Sequence, residues 1–327
     1  MKIPLKYWLP GSFVFLIILG EIVLRFGLGL GNPPRVIPDE VMGYRFQENQ
    51  NLRRFGNRLI YNQYSQRSEA ITPQKDPDTL RIMMIGDSVL NGGNRKDQTE
   101  TISERWEARI RENQPQVEVL NASANSWGIG NQLGYLNQYG LLNSDVVVLQ
   151  IGTHDLVQPT STDESLPDTT PPRFALQEAW FDYAWPRLRG KLFPLSSAPQ
   201  TADSAAASQN PEKRQEQQFQ ANLEALDAIA STIHPQDTQL YVLYTPNRRD
   251  VQPNQNEPLY KAEFFQHLES KNIAVVDSHK AWSQLPPEIA ENYFIDKVHL
   301  SVAGNDAIAK LLFQELCTPA KISACHN

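Results

Sequence analysis

The sequence predicts an α/β fold with a mostly parallel five-stranded sheet. From residue 80 onward, short aliphatic and β-branched runs alternate with helical periodicities, which is typical of parallel strands joined by crossover helices. The chain has 327 residues, of which 40% are hydrophobic, enough for one substantial α/β domain with appendages.

The predicted strands and helices follow each other in the order that a parallel sheet requires. The strands are expected at 80–85, 117–120, 146–151, 240–244 and 274–276, and the helices at 102–111, 129–139, 219–233, 260–270 and 302–316. In the helix at 219–233, apolar residues recur every three or four positions, at Phe219, Leu223, Leu226, Ile229 and Ile233. This stripe is expected to lie against the sheet.

An apolar stretch precedes this domain. Residues 5–24 are about long enough to cross a bilayer core of roughly 30 Å, and Glu21 and Arg25 near its end are spaced to pair. We predict a transmembrane anchor within 5–30. The alternative is a signal peptide, although the glycine-rich segment at 27–31 has no Ala-x-Ala-like cleavage site. Either interpretation places the domain outside the cytoplasm, in the periplasm or at the cell surface.

Three further segments flank or interrupt the domain at 80–316. Residues 31–79 are expected to form a linker and a small β element, and 317–327 a tail in which Cys317 and Cys325 pair if the compartment is oxidising. Residues 158–215 are an insertion with two polar stretches, 159–172 and 194–211, that predict partial disorder. Between them, residues 179–185 concentrate aromatic side chains, which suit a substrate wall or lid, packing against the domain, or a membrane surface.

Charge and spacing exclude several classes of partner. The chain carries 30 basic and 37 acidic residues, for a net charge of -7, and has no Lys/Arg-rich run, so nucleic-acid binding is not expected. Its histidines and cysteines do not have metal-ligand spacing, and the segment Asn91-Gly92-Gly93-Asn94 lacks the residues of a phosphate-binding loop. We therefore predict neither a metal site nor a nucleotide site.

Two separated segments carry residues suited to nucleophilic catalysis. Ser88 follows the first predicted strand in Gly86-Asp87-Ser88, and ligands of parallel sheets bind beyond the carboxyl ends of strands. A serine hydroxyl needs a base and a group that orients the base. Asp296 and His299, three residues apart before the last helix, have the spacing for these two roles.

These segments resemble the blocks of the SGNH hydrolase family, also called GDSL esterases, over residues 80–316. In that family Gly-Asp-Ser carries the nucleophile and a later Asp-x-x-His supplies the orienting acid and the base. The resemblance implies a flavodoxin-like three-layer sandwich, ester substrates that are often acylated carbohydrates or lipids, and no cofactor.

The two remaining family blocks, which supply the oxyanion hole, depart from the family pattern. Ser126 stands at the usual glycine position with Gly128 two residues later, and His154 replaces the asparagine of Gly-x-Asn-Asp. The resemblance therefore implies a hole formed by the N–H groups of Ser88 and Ser126 or Gly128, with His154 as a third donor. The alternative is that His154 bonds a neighbouring carboxylate. Loss of one oxyanion donor costs about 10²- to 10³-fold in turnover.

The expected function is that of a membrane-anchored acyl ester hydrolase outside the cytoplasm, acting on an O-acylated glycan or a lipid. Two alternatives stay open. The same acyl-enzyme can pass its acyl group to a sugar hydroxyl, as an O-acetyltransferase does. A glycan-binding module that keeps the fold without catalysis needs no activated serine. Reaction of Ser88 with a fluorophosphonate therefore distinguishes an enzyme from such a module.

Overall fold

Five parallel strands form the central sheet. A computed structural model describes residues 5–166, 171–192, 210–255, 257–318, 321, 322 and 325. The strands in these residues are β1 (Val36–Asp39), β2 (Gly43–Phe46), β3 (Gln50–Arg54), β4 (Asn57–Tyr61), β5 (Leu80–Gly86), β6 (Val117–Ser123), β7 (Val146–Gly152), β8 (Gln239–Thr245) and β9 (Ala274–Asp277). The last five pair in the order β6-β5-β7-β8-β9, all parallel. The predicted five-stranded parallel sheet is confirmed, and its strand order is that of flavodoxin-like sheets.

Helices cover both faces of this sheet. The helices of the described residues are α1 (Leu5–Ile22), α2 (Ser88–Asn91), α3 (Ile102–Arg111), α4 (Ile129–Tyr139), α5 (Ala175–Glu178), α6 (Trp185–Leu192), α7 (Pro211–Ile233), α8 (Lys261–Ser270), α9 (Ser278–Trp282), α10 (Pro287–Asn292) and α11 (Val302–Leu312). The five predicted helices correspond to α3, α4, α7, α8 and α11. The last predicted helix ends in a π-helical turn, Phe313–Cys317.

Two apolar cores, one on each face, make this a three-layer sandwich. Successive residues of a strand point to opposite faces. On β5, Met83 and Ile85 face the core that contains α4, α7 and α8, whereas Ile82 and Met84 face the core that contains α3 and α11. Because both faces are covered, strands β5 and β7 are buried along their whole length, which explains their continuous apolar sequences.

The predicted small β element consists of two antiparallel hairpins, β1–β2 and β3–β4. The hairpins belong to the domain itself. Phe46 and Tyr61 stack with ring centroids 4.1 Å apart and join the same buried core as α4. Tyr44 accepts the Trp127 indole N–H at its carbonyl oxygen over 2.8 Å. These contacts fix the hairpins against the loop that follows β6.

The N-terminal segment is helical, but the prediction of a transmembrane anchor is not supported. Among the described residues, no helix is both long and apolar enough to cross a membrane. A π-helical turn, Val23–Gly27, follows α1. The predicted pair of Glu21 and Arg25 forms at 2.7 Å, and Glu21 also accepts the N–H groups of Ala175 and Leu176. The end of α1 is thus bonded to the start of α5.

The insertion is described in part. Residues 167–170, in the first stretch predicted to be disordered, and 193–209, which contain nearly all of the second, lie outside the described residues. The aromatic stretch between them is helical, with a π-helical turn, Ala179–Ala184, between α5 and α6. Glu178 forms a buried ion pair with Arg54 of β3, and the Tyr183 ring meets Phe55 edge-on. The insertion therefore packs against the second hairpin.

Both cysteines lie in the C-terminal tail and are paired. Cys317 and Cys325 form a disulfide and are buried in the core that contains α3 and α11. The pairing agrees with the expectation for an oxidising compartment. The location of the domain outside the cytoplasm stays a prediction.

Candidate active site

The end of β5 positions Ser88. A Cβ atom on Gly86 would lie 2.5 Å from the Gln150 side-chain oxygen, so a larger residue there would displace the Gln150 amide. Gln150 is held in turn by Thr245, to which its amide donates over 3.0 Å, and it accepts the Asp87 N–H at 3.2 Å. Three adjacent strands, β5, β7 and β8, therefore fix the turn that carries the serine.

Asp87 caps the short helix that begins with Ser88. Its Oδ1 accepts the Val89 N–H at 2.8 Å, as an N-cap side chain does. The carboxylate of Asp87 is buried, whereas Ser88 is half-buried and reachable. The Ser88 hydroxyl lies 3.5 Å from Asp87 Oδ2, too long for a strong bond.

Ser88, His299 and Asp296 are joined by a chain of hydrogen bonds, although the serine and the histidine are 211 positions apart in the sequence. His299 Nε2 is 2.9 Å from Ser88 Oγ, and its Nδ1 is 2.8 Å from Asp296 Oδ2. With Nδ1–H donating to the carboxylate, Nε2 is left as the acceptor for the serine proton. The structure thus brings together the three residues that the sequence singled out.

The loop before α11 holds His299 in place. Asp296 Oδ1 accepts the N–H groups of Val298 and His299 at 2.9 and 2.8 Å, which closes a tight turn. Lys297 accepts the Arg248 N–H at its carbonyl oxygen over 2.8 Å, and Ser301 caps α11. The loop is therefore anchored on both sides of the histidine.

Asp296 is a carboxylate at neutral pH. Burial alone would raise its pKa, but the N–H groups of Val298 and His299 and the imidazole outweigh that effect and lower the pKa below its usual value. The Asp296 and His299 side chains are 51% and 41% exposed. The pair therefore keeps its charge in contact with solvent.

Of the predicted oxyanion donors on the second loop, Ser126 is available and Gly128 is not. The Gly128 N–H donates to Asn131 Oδ1 over 2.8 Å, so its inclusion in the hole is corrected. In the described part of the chain, no acceptor pairs with the N–H of Ser126 or of Ser88. The two serines follow strand positions that pair directly, Gly86 with Ser123, which places their loops side by side.

Ser126 has a backbone conformation that favours glycine. Its φ is 60°, in the left-handed region, which costs a residue with a Cβ roughly 1–2 kcal/mol. This explains why the related family has glycine at the equivalent position.

We expect Ser126→Gly to raise the free energy of unfolding by about 0.5–1 kcal/mol and to leave esterase activity within about twofold. The gain is smaller than the strain because glycine also has more freedom in the unfolded chain. Urea denaturation measures it. Ser126→Ala is the control, since it keeps both the Cβ and the N–H. A Ser126→Gly protein that is less stable than Ser126→Ala would contradict the assignment of strain.

His154 does not face the oxyanion position as a donor. Its Nε2 lies 2.8 Å from Asp87 Oδ2 and 3.4 Å from Asp155 Oδ1. Its Nδ1 is buried and has no partner at normal hydrogen-bond geometry among the described residues. The Oδ1 atom of Asn247, which is also unpaired, is a neighbouring acceptor. Neither ring nitrogen is open to a substrate, so the prediction of a third oxyanion donor is corrected. The alternative, a histidine bonded to a neighbouring carboxylate, agrees with the geometry.

His154 is a cation between two buried acids. Burial alone would lower its pKa, but the charges of Asp155 and Asp87 outweigh burial and raise this pKa to about 9. Burial raises the pKa of Asp155 to about 7. Among the described residues, Asp87, His154 and Asp155 are the one group whose potential metal-ligand atoms lie within 4.8 Å of one another. Since Nε2 is at ion-pair distance from Asp87, we assign this group as a hydrogen-bonded network.

Two contributions to the site are invisible in the local sequence pattern. Asp155 accepts the Gly152 N–H at 2.6 Å, and both Asp155 and Asp87 lie against His154. In the sequence, only its position next to His154 indicates a role for Asp155. The hairpins supply the second contribution. Tyr44 donates its hydroxyl to the Asn125 carbonyl beside Ser126, and the Tyr61 hydroxyl lies 3.4 Å from Asn91 Oδ1.

Comparison with known proteins points to one family. Residues 84–307, more than half of the chain, match the model of the GDSL-like lipase/acylhydrolase family. No match to a curated protein was found.

Several solved structures are similar in fold. A lipase/acylhydrolase from Enterococcus faecalis is 16% identical, with a TM-score of 0.44 over 74% of this chain and 97% of that one. A GDSL-like lipase from Bacteroides thetaiotaomicron is 11% identical, with a TM-score of 0.43 over 76% and 93%. An α/β hydrolase from the metagenome of Lake Arreo, Spain, is 14% identical, with a TM-score of 0.44 over 78% and 99%. Likeness at this level gives no information on substrate.

Proposed function

The chain belongs to the GDSL-like lipase/acylhydrolase family and is an ester-bond hydrolase, and from this premise we propose that Ser88, His299 and Asp296 are its catalytic residues. Ser88 is the nucleophile, His299 the general base and then acid, and Asp296 the residue that orients the imidazole. The substrate is an acyl ester, which we narrow to O-acylated glycans or lipids.

Acylation begins when Ser88 Oγ attacks the ester carbonyl carbon. His299 Nε2 takes the serine proton as the new C–O bond forms, and Asp296 stabilises the resulting imidazolium through Nδ1–H. Collapse of the tetrahedral intermediate breaks the bond to the leaving oxygen, which receives the proton from His299. The alcohol departs and an acyl-Ser88 ester remains.

Deacylation repeats these steps with water. His299 removes a proton from water, the hydroxide attacks the acyl carbon, and the proton returns to Ser88 as the carboxylic acid leaves. In both halves the negative oxygen rests on the N–H groups of Ser88 and Ser126, because such donors stabilise charge where it develops. A sugar hydroxyl in place of water gives the transferase reaction.

The observation that carries this proposal is the 2.9 Å distance between His299 Nε2 and Ser88 Oγ, with Nδ1 at 2.8 Å from Asp296. A base within hydrogen-bond reach of the nucleophile, itself oriented by a third group, is the arrangement that activates serine. A binding module that does not catalyse has no use for it.

We expect Asp296→Asn to lower kcat for p-nitrophenyl acetate by about 10²-fold. The loss is below the roughly 10⁴-fold known for a buried orienting carboxylate, since Asp296 is half exposed and water can take its place. Spectrophotometric release of nitrophenol measures it. Asp78→Asn, an exposed residue at the opposite edge of the sheet, is the matched control. Equal rates in both variants would contradict the role of Asp296.

A further inference from the structure

A cavity of about 350 Å³ lies between the hairpins, the loop after α2 and the insertion. Its volume is within the range of roughly 300–1,000 Å³ common for small-molecule sites. Polar lining comes from Arg35, Asn94, Asn125 and Asp182, and apolar lining from residues that include the stacked Phe46–Tyr61 pair.

The cavity shares its walls with the two loops that carry the proposed catalytic groups. Asn125 immediately precedes Ser126, and Asn91 and Asn94 follow Ser88 within six residues. The hairpins are bonded to both loops, through Tyr44 to Asn125 and through Tyr61 to Asn91. A group that occupies the cavity therefore lies beside the two loops that carry Ser88 and Ser126.

The lining is chemically mixed. Arg35 and Asp182 bring one positive and one negative charge, so the lining carries no net charge. The Asn94 and Asn125 side chains each offer two amide donors and an acceptor. The apolar residues offer a surface for C–H groups. A ligand with several hydroxyl groups on a compact carbon skeleton can bond the amides and the charged groups while its C–H groups contact the apolar residues.

On this basis, and resting on the proposed function, we propose that the cavity is the leaving-group subsite and that it binds one sugar unit of an O-acylated glycan. The sugar hydroxyls bond Asn94, Asn125, Arg35 and Asp182, while a C–H face of the ring contacts the apolar lining. The alcohol released on acylation of Ser88 is then the deacylated sugar.

A lipid acyl chain fits this lining poorly. An alkyl chain that fills the cavity strips water from two amides, a carboxylate and a guanidinium without replacing the lost hydrogen bonds. Sugar hydroxyls can form hydrogen bonds to these groups, whereas an alkyl chain cannot, so the polar part of the lining favours a sugar.

The subsite is built largely from parts of the chain outside the family machinery. Arg35, Phe46 and Tyr61 precede the matched region, which begins at residue 84, and Asp182 lies in the insertion. The hairpins and the insertion therefore select the alcohol half of the ester.

The test compares three kinds of ester on the full chain and on two double variants. The substrates are p-nitrophenyl acetate, p-nitrophenyl octanoate and a set of mono-O-acetylated methyl hexosides based on glucose, galactose and mannose. The test variant is Asn94→Ala with Asp182→Ala. The control is Asn113→Ala with Asp78→Ala, an exposed amide and carboxylate at the opposite edge of the sheet. Melting temperatures verify that both fold.

We expect the test variant to lower kcat/KM for at least one acetylated hexoside about tenfold or more, mainly through KM, because two hydrogen bonds to the sugar are lost. Its kcat/KM for p-nitrophenyl acetate should stay within about twofold of the control, since the nitrophenyl leaving group has no hydroxyl groups that bond Asn94 and Asp182.

Three results would overturn the inference and leave the proposed function intact. In the first, the wild type cleaves p-nitrophenyl acetate but no acetylated hexoside. In the second, the test variant and the control cleave the hexosides with the same kcat/KM. In the third, the wild type prefers octanoate to acetate and the test variant loses that preference. The last assigns the cavity to the acyl chain. A wild type that cleaves none of the esters instead contradicts the proposed function itself.

Discussion

Replacing Ser88 with alanine is expected to lower kcat for p-nitrophenyl acetate by about 10⁴-fold or more. Removal of the nucleophile of a serine hydrolase leaves only the contribution of binding and of the oxyanion donors. Among the residues that the structure describes, the Ser88 hydroxyl is the nucleophile that lies 2.9 Å from His299 Nε2, and no neighbouring residue takes its place. Steady-state release of nitrophenol measures the effect.

The control for this experiment is Ser231→Ala. Ser231 is exposed on α7, where its hydroxyl bonds only the Asp227 carbonyl at 2.8 Å. We expect this variant to keep full activity. Residual activity of Ser88→Ala within tenfold of Ser231→Ala would contradict a covalent mechanism through Ser88.

The stability of the protein is expected to fall by up to about 3 kcal/mol as pH rises from 6.5 through 9. The folded protein raises the pKa of His154 from 6.5 to about 9 because Asp155 and Asp87 face it. A raised pKa of a base stabilises the fold fully below the unfolded value and loses that contribution as pH rises through the folded value. Each pKa unit corresponds to 1.36 kcal/mol.

Urea denaturation at several pH values measures this loss. His154→Asn cannot carry the charge, so its stability should change much less over the same interval. At pH 6.5 it should be less stable than the wild type, because Asp87 and Asp155 lose their cation. Ionisation of Asp155, with a pKa raised to about 7, lowers stability in the same direction but at lower pH.

His234→Asn is the matched control, since His234 is exposed at the end of α7. It should retain the pH dependence of the wild type. An equal pH dependence in His154→Asn and His234→Asn would show that His154 is not the charged partner of the two acids.

The sheet was predictable from sequence because parallel strands are buried on both faces. Their runs are continuously apolar, and the helices between them carry one apolar stripe each, so both kinds of element are visible within a short window. The positions of Ser88 and of the Asp296–His299 pair follow from the same pattern, since they stand at a strand end and before the last helix.

The remainder depends on contacts between distant segments. His154 lies 67 residues from Asp87, and nothing local indicates that the two side chains meet at 2.8 Å. The left-handed conformation of Ser126 and the bond that occupies the Gly128 N–H are likewise properties of the folded loop. The small β element was predicted within residues 31–79, but its short strands did not indicate that they join the core of the domain.

The most direct test of the central claim is to treat the protein with a fluorophosphonate and map the modified residue by mass spectrometry. The account predicts one label per chain, in the tryptic peptide 82–95 that contains Ser88, and slow labelling once His299 is replaced by alanine. A label on another residue, or an unlabelled Ser88 in a protein that still cleaves p-nitrophenyl acetate, would contradict it.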